Sequence, residues 1–340
     1  DLKAKGLSLE TMTEDIFDNI WTDRPSLPQS PVFILDETRT GASCSEKIAR
    51  IQEAIAKNGS SAIILSALDE IAWTLNLRGE DVHCNPVFIS YLLIAKGGYT
   101  LYILEEKITD EVRTYLGGHQ VTIKPYSALA EDLRTFDSNR EGVLQISPLA
   151  NEALYDLSTR YAETIVAPSP VALMKAVKNE TEQAGFRKAM ERDGVALVKF
   201  LRWLEKAVPS GNESEVSIDK KLYALRAEQE NFKGISFDTI AGYKEHAAIV
   251  HYEATPETDI PLKPEGLLLL DSGAQYLDGT TDITRTIALG PLTEEDLAKK
   301  NEAELIVAKN RHGPTGTVPL AWNADFTLYT SREYVRDEEA

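Results

Sequence analysis

From Cys44 onward the chain alternates between helical and strand-like segments, and this alternation constrains the fold more than any other feature of the sequence. The segment SCSEKIARIQEAIAKNG has a serine cap, helical spacing and a terminal glycine, and the apolar run SAIIL follows it. A helical pattern in LDEIAWTLNLRG precedes two apolar runs around Gly97-Gly98, which predict a hairpin. Two further helix–strand repeats end at GVLQIS. The alternation predicts a layered α/β domain over residues 44–168.

A long helix is predicted after this domain, from Lys178 to Val208. Asn179 and Glu182 have the spacing of a capping box at its start. Apolar residues recur at steps of three and four and predict one buried face: Phe186, Met190, Leu197, Leu201 and Leu204. The segment ISFDTIAGYKEHAAIVHYEA then predicts two strands around a polar loop, and PLKPEG predicts a turn. The long helix is expected to pack on the sheet that these strands form.

Composition restricts the classes of partner. The formal net charge of −18 argues against nucleic acid and anionic membrane surfaces. Cys44 and Cys84 have no paired spacing, which fits a reducing compartment and two simple thiols. No apolar run approaches the length of about 18–20 residues that a membrane span needs, and no signal-peptide pattern follows Asp1. The composition therefore indicates a soluble, cytoplasmic protein with neither a membrane nor a nucleic-acid partner.

Two acids lie at the edges of apolar segments in LLLLDSGAQYLDGTTDITRT, at Asp271 and Asp282. GLLLLDSG predicts a buried strand that ends at Asp271, with Ser272-Gly273 as its turn, and LDG predicts a second turn. TTDITRTI predicts a returning strand whose alternation places Asp282 and Thr284 on one face. If the two strands are antiparallel neighbours, the two acids converge on one point.

Two converging carboxylates need a compensating cation, because otherwise one of them must take up a proton. Oxygen ligands suit hard divalent ions such as Mg²⁺ or Mn²⁺, and a carboxylate can bridge two metal ions. The alternative is that Asp271 only caps a turn while Asp282 lies on a solvated strand face. Spacing alone does not separate a metal site from this alternative.

The same stretch, the preceding GYKEHAAIVHYE and the upstream segments SALDEIAWTLNLRG and PVFISY together resemble the Xaa-Pro aminopeptidases (aminopeptidase P), metallopeptidases with the pita-bread fold. The resemblance covers about residues 1–295. It implies the remnant of an upstream domain and a linker over 1–43, and a creatinase-type α/β domain over 44–168. The first half of an α+β pita-bread catalytic domain would follow over 169–295.

The resemblance also implies the roles of individual residues. In such enzymes the acid of DSG, here Asp271, binds one metal ion, and the acid of TTDITRT, here Asp282, bridges two, usually Mn²⁺. The histidine of IVHY, His251, would hold the substrate and the transition state, although it could also be a satisfied core histidine. Thr284 would orient Asp282 as a supporting partner. His246 of KEHAA is the alternative histidine, with a plain surface position as its simpler interpretation.

The implied substrates are peptides with proline at the second position, cut before the proline by water that two metal ions activate. Three of the five metal ligands of the family, a histidine and two glutamates, are expected well beyond Asp282. The residues that follow Asp282 contain one histidine, His312, and no HGxGHG pattern. With two of five ligands present, the chain is expected to bind metal weakly and to show little or no activity.

The tail resembles a different family. From about Asn301, NEAELIVAKNRHGPTGTVPLAWNADFT is similar to the carboxy-terminal end of bacterial replicative DNA helicases, which places a junction near residues 295–302 and a short, β-rich tail over 296–340. Lys309 and Arg311 match helicase residues that reach a neighbouring nucleotide. The chain has no GxxxxGK[ST] loop, so no nucleotide-binding residue is predicted.

The residues therefore lead to one expectation and two alternatives. The expectation is an Xaa-Pro aminopeptidase-like metallopeptidase of low activity, with Mn²⁺ as its metal. The first alternative is a non-catalytic binding or scaffold protein on a partial pita-bread fold. The second is a helicase-related partner of nucleotides or nucleic acid, acting through the tail. A homodimer is the possible assembly of the chain.

Overall fold

The computed structural model describes residues 2–8, 15–17 and 20–291, together with the backbone of three strands at 302–307, 316–323 and 328–331. The chain divides into two compact units. The first comprises residues 1–192, 231–237 and 274–281, and the second comprises residues 193–230, 238–273 and 282–340. Each unit has its own clusters of buried apolar side chains.

The helices and strands alternate along the first half of the chain. In chain order they are β1 (Phe33–Ile34), α1 (Glu37–Thr40), α2 (Cys44–Ala56), β2 (Ala62–Leu65), α3 (Leu68–Leu75), β3 (Leu77–Arg78), β4 (Ser90–Ala95), β5 (Gly98–Ile103), α4 (Asp110–Gly118), β6 (Val121–Pro125), α5 (Leu129–Arg134), α6 (Ser138–Glu141), β7 (Leu144–Ile146), α7 (Glu152–Tyr161), β8 (Thr164–Val166) and α8 (Pro170–Ala176).

The second half begins with a long helix and then contains mostly strands. These elements are α9 (Glu180–Ala207), α10 (Glu215–Ala227), β9 (Phe232–Ile235), β10 (Ile240–Tyr243), β11 (Leu267–Ser272), β12 (Ala274–Tyr276), β13 (Gly279–Thr280), β14 (Ile283–Ala288), β15 (Glu302–Val307), β16 (Gly316–Asn323) and β17 (Leu328–Ser331). Among the described residues, none of the helices combines the length and the apolar character that crossing a membrane requires.

A mixed six-stranded sheet organises the first unit, with the strand order β6-β5-β4-β2-β7-β8. The predicted hairpin of β4 and β5 is confirmed, with Ala95 paired to Gly98. Strand β2 is buried on both faces, because Ile63 and Leu65 belong to one apolar cluster while Ile64 belongs to another. This sheet with helices around it confirms the layered α/β prediction.

The helix that follows β2 ends earlier than its sequence pattern predicts. Helix α3 stops at Leu75, and Asn76 adopts a left-handed conformation with a φ of 52°. The buried Asn76 side chain donates to the Ala42 carbonyl at 2.9 Å and accepts from Lys47 at 2.6 Å. The prediction of helix for NLRG is therefore wrong, because contacts from distant residues hold Asn76 in the conformation that ends the helix.

Helix α9 confirms the predicted capping box. The Asn179 side chain accepts from the Glu182 backbone N–H, and Glu182 accepts from the Asn179 N–H, both at 2.9 Å. The predicted apolar face is wrong at Met190, which is 43% exposed, whereas Ala189 and Phe200 are fully buried. Leu197 and Leu204 are buried as predicted, and the prediction fails only where Ala189 takes the buried position instead of Met190.

The second unit contains the antiparallel sheet β10-β11-β14, which covers its apolar cluster. The prediction of a second strand in KEHAAIVHYEA is wrong. Residues Lys244–Ala248 form a 3₁₀ helix and the chain then turns, with a φ of 53° at Lys244 and 56° at His251. The predicted turn at Ser272-Gly273 is also wrong, because the chain passes there from β11 directly into β12 of another sheet.

Where the tail is described, its backbone is extended, in agreement with the prediction of a β-rich segment. Strands β15, β16 and β17 form an antiparallel three-stranded sheet. Lys309, Arg311 and His312, the tail residues for which nucleotide and metal roles were considered, lie outside the described residues.

Candidate metal centre

The two acids of the DSG and TTD segments lie on or directly beside two paired strands. Strands β11 and β14 are antiparallel neighbours, as predicted, with Asp271 opposite Thr284 and Ser272 opposite Ile283. Asp282 directly precedes β14, and extending the same register by one step makes it the diagonal neighbour of Asp271 on one face of the sheet.

This face of the sheet is the less buried one. On β11, Leu268 and Leu270 are buried in the apolar cluster, while the alternate residue Asp271 is half-buried on the other side. Asp282 and Thr284 are exposed. The sheet therefore presents its two carboxylates together on a side that a ligand can approach.

One carboxylate oxygen of this pair has no protein partner. Asp271 Oδ1 is buried and accepts no hydrogen bond from the described residues. A buried carboxylate oxygen without a donor or a cation is costly. Two oxygen-bearing acids on one face, one of them unsatisfied, fit a hard divalent cation such as Mg²⁺ or Mn²⁺. Among the described residues, neither acid belongs to a group of three or more potential metal ligands.

A buried ion pair fixes the backbone beside the acids. Arg226 of α10 donates from Nε and Nη2 to the two carboxylate oxygens of Asp193, at 2.7 and 2.9 Å. Its Nη1 donates to the Gly273 carbonyl at 3.2 Å. Because Gly273 follows β11 directly, Arg226 holds the segment from which Asp271 projects. Neither residue was among the predicted site residues, although an acid at Asp193, among the apolar positions of α9, was a signal in the sequence.

A second missed residue, Glu215 at the start of α10, organises the loop that carries both candidate histidines. Its carboxylate is fully buried and accepts from the Tyr243 backbone N–H at 2.7 Å and from the Tyr252 hydroxyl at 2.8 Å. His246 Nδ1 lies 3.0 Å from its Oε2. Since an ionised carboxylate only accepts, this geometry assigns the proton to Nδ1. Burial raises the pKa of the Tyr252 hydroxyl, so it remains a donor.

His246 is therefore not a plain surface residue, because its side chain is bonded to Glu215. Its Nδ1 takes part in that bond and is not free to bind a ligand. Its ring packs against the Tyr252 ring at a centroid distance of 4.5 Å. His251 differs: it is exposed, in a left-handed backbone conformation, next to Val250, which is 82% exposed. Because Glu215 holds the loop on both sides of His251, this histidine projects from an anchored segment.

Thr284 lies directly opposite Asp271, with Asp282 two residues before it along the chain.

Cys44 is buried, and burial raises the pKa of its thiol to about 12, so the reactive thiolate is suppressed. Cys84 is half-buried.

Comparison with known proteins decides the family. The model of the creatinase/prolidase N-terminal domain matches residues 23–182, and that of metallopeptidase family M24 matches residues 184–309. The probable Xaa-Pro aminopeptidase P of Chaetomium globosum is 38% identical over 332 residues, which are 92% of this chain and 53% of that protein. The Laccaria bicolor protein of the same name is 41% identical over 303 residues, 87% of this chain and 46% of its own length.

The chain belongs to metallopeptidase family M24, in its aminopeptidase P group. It spans about half the length of the curated relatives it matches. The M24 match passes the junction predicted near residues 295–302, and the helicase resemblance of the tail gains no support from these relatives.

Solved structures agree with this membership. The X-prolyl aminopeptidase of Caenorhabditis elegans, described as a cytosolic enzyme with a di-nuclear active site, superposes with a TM-score of 0.82 at 31% identity. That match covers 90% of this M24 chain and 52% of the other. The Xaa-Pro dipeptidase of Bacillus anthracis superposes with a TM-score of 0.61 at 20% identity, over 76% of this chain and 68% of its own, and therefore supports the fold alone.

Proposed function

We propose that the protein acts as an Xaa-Pro aminopeptidase, which hydrolyses the bond between an amino-terminal residue and a following proline. The observation that carries the proposal is the unsatisfied Asp271 Oδ1 on the same sheet face as Asp282. Relatives named Xaa-Pro aminopeptidase P, at 38–41% identity, support the choice of reaction. The substrates would be peptides with proline at the second position.

Asp271 and Asp282 would hold the metal, for which we propose two Mn²⁺ ions. Such a pair supplies water activation near neutral pH and polarisation of the scissile carbonyl. The contribution of the protein is the fixed spacing of the acids, which the β11–β14 register and the Arg226 bond to Gly273 maintain. Thr284, opposite Asp271 and two residues after Asp282 in the chain, is proposed to support the two carboxylates from the side.

His251 is proposed to contact the substrate. Its exposed imidazole can donate to a carbonyl oxygen on which negative charge develops during attack. A donor assists the reaction only if it is held in position. Glu215 holds the loop that carries His251 through its bonds to Tyr243, His246 and Tyr252. His246 is accordingly proposed as a positioning residue.

We further propose that this 340-residue chain holds metal weakly and turns over slowly. Two aspartates without a third ligand among the described residues leave the ions poorly coordinated. The same ligand count favours the second candidate, a non-catalytic binding role for the fold. A cytoplasmic location is proposed from the cytosolic C. elegans relative, and formation of a homodimer and the lack of a nucleic-acid or membrane partner also remain proposals.

The test is an assay of released amino acid with Mn²⁺ and two peptides, one with proline and one with alanine at the second position. We expect slow release from the proline peptide only, loss of that release in Asp282→Ala, and no change in Asp36→Asn. The control is matched because Asp36 caps α1 through its side chain, and asparagine caps helices equally well. Equal release from both peptides, or release that survives Asp282→Ala, would contradict the proposal.

A further inference from the structure

The first unit contains a cavity of about 310 Å³ that is lined by more cationic than anionic side chains. The cations are Arg39, Lys47, Arg78, Lys175 and Lys178. The carboxylates are Asp69, Glu182 and Asp278. None of these residues belongs to the candidate metal centre.

All three carboxylates are engaged by other groups. Asp278 accepts two bonds from Arg192, at 2.9 and 2.7 Å. Lys175 is bonded to Asp69. Glu182 accepts from the Trp73 indole at 3.2 Å and caps α9. Each acid of the cavity therefore already has a bonding partner, and two of the lining cations bond to none of these acids.

Those two cations are Lys47 and Arg78. Among the described residues they donate hydrogen bonds only to uncharged oxygens. Lys47 is 1% exposed, and its Nζ donates to the Trp73 carbonyl at 2.9 Å and to Asn76 Oδ1 at 2.6 Å. Arg78 donates from Nη1 to the Ala72 and Leu77 carbonyls, at 3.0 and 2.8 Å. Lys47 is buried and Arg78 is half-buried, and neither donates a hydrogen bond to a carboxylate of the described residues, although the charge of Glu182 partly offsets the lowering of both pKa values by burial. A buried cation without a bonded carboxylate is costly, so positive charge is maintained at Lys47 at a loss of stability.

The unused donors have a definite geometry. Arg78 Nε and Nη2 carry no hydrogen bond to any described residue, and together they form the guanidinium edge that binds a carboxylate or phosphate with two parallel bonds. Lys47 has three N–H donors and uses two, so one remains. The Trp73 ring, 4.2 Å from Lys47 Nζ, and Phe186 add apolar wall to the cavity.

We propose that this cavity binds a small oxyanion, with a carboxylate or phosphate group held by the Nε–Nη2 edge of Arg78 and by the third N–H of Lys47. Arg39 and the exposed Lys178 also line the cavity and add positive charge that attracts an anion. The two anchoring cations, Lys47 and Arg78, lie in the creatinase-type domain, and the proposal does not depend on the aminopeptidase activity proposed above.

The protonation of Lys47 provides a second signature. Burial, and then the charge of Arg78, lowers the pKa of the Lys47 ammonium to about 8, against the smaller raising effects of Glu182 and Cys44 and a further lowering by Arg50. A bound anion favours the charged form and raises this pKa again. Binding at pH 8.5 is therefore coupled to proton uptake, and the affinity falls as the pH rises through 8.

The direct test is isothermal titration of the full chain at pH 7 with sodium phosphate and with sodium acetate, each against sodium chloride at matched ionic strength. We expect saturable binding of at least one oxyanion and none of chloride. Arg78→Lys keeps the charge but loses the two-bond edge, so the affinity should fall about tenfold or more. Arg113→Lys is the matched control, because Arg113 pairs with Glu105 on the surface, and it should bind as the wild type.

Binding of phosphate alone would identify a phosphate-bearing ligand, and binding of acetate a carboxylate. Binding of neither oxyanion, or equal affinity in Arg78→Lys and the wild type, would overturn the proposal. Lys47→Met gives an independent readout. At pH 8.5, titration in two buffers of different ionisation enthalpy should reveal proton uptake in the wild type that Lys47→Met lacks. Uptake that persists in a folded Lys47→Met protein would also overturn it.

Discussion

Two carboxylates of the second unit, Glu215 and Asp271, differ in what surrounds them. Glu215 is fully buried and receives bonds from a backbone N–H, a tyrosine hydroxyl and an imidazole. Asp271 is half-buried, yet its Oδ1 is shielded from solvent and receives no bond from the described residues. A satisfied carboxylate holds a fold together, whereas an unsatisfied one is available to a ligand.

The first unit repeats the contrast with cations. Lys107 is buried and bonded to the buried carboxylate of Asp81. Lys47 is equally buried but bonds only to a carbonyl and an amide oxygen. In both units, the incompletely compensated charge lies at the position to which we assign a ligand.

The largest expected effect is the removal of the satisfied carboxylate. Glu215→Ala leaves the Tyr243 N–H, the Tyr252 hydroxyl and His246 without their acceptor in a buried place, so we expect the free energy of unfolding to fall by about 3–5 kcal/mol. The measurement is urea denaturation followed by circular dichroism.

Asp271→Asn is the matching variant at the unsatisfied carboxylate, and without metal we expect it to change the free energy of unfolding by less than about 1 kcal/mol. A loss at Asp271 as large as that at Glu215 would remove the distinction between the two residues.

An effect between those of Glu215→Ala and Asp271→Asn is expected from the pH dependence of Lys47. Its folded pKa of about 8 lies below its ordinary value of 10.5, so between these values the unfolded chain binds more protons. Stability therefore rises with pH in this window. Relative to Lys47→Met, the wild type should gain about 2 kcal/mol between pH 8 and 10. Parallel urea curves of the two proteins at five pH values would measure it, and a constant difference would contradict the low pKa.

Local patterns were sufficient to predict most of the fold. The hairpin of β4 and β5 and the capping box of α9 depend on residues adjacent in sequence, so both were predictable. The antiparallel pairing of β11 with β14 was also predictable, because alternation along each strand fixes which face each residue occupies.

The failures have a common cause in contacts between distant residues. Asn76 ends α3 because Ala42 and Lys47 bind its side chain, about thirty residues earlier in the chain. The predicted strand after His246 is absent because Glu215, 31 residues away, binds that histidine and both flanking tyrosines. Arg226 supports Gly273 across 47 residues. No local pattern in the sequence contains these partnerships.

The most direct test of the central claim, that Asp271 and Asp282 form a metal site, is a calorimetric titration of the 340-residue chain with Mn²⁺. We predict weak, saturable binding in the wild type and in Asp36→Asn, with an affinity at least about tenfold lower in Asp271→Asn and in Asp282→Asn. Mn²⁺ binding that is the same in the wild type and in both site variants would contradict the claim.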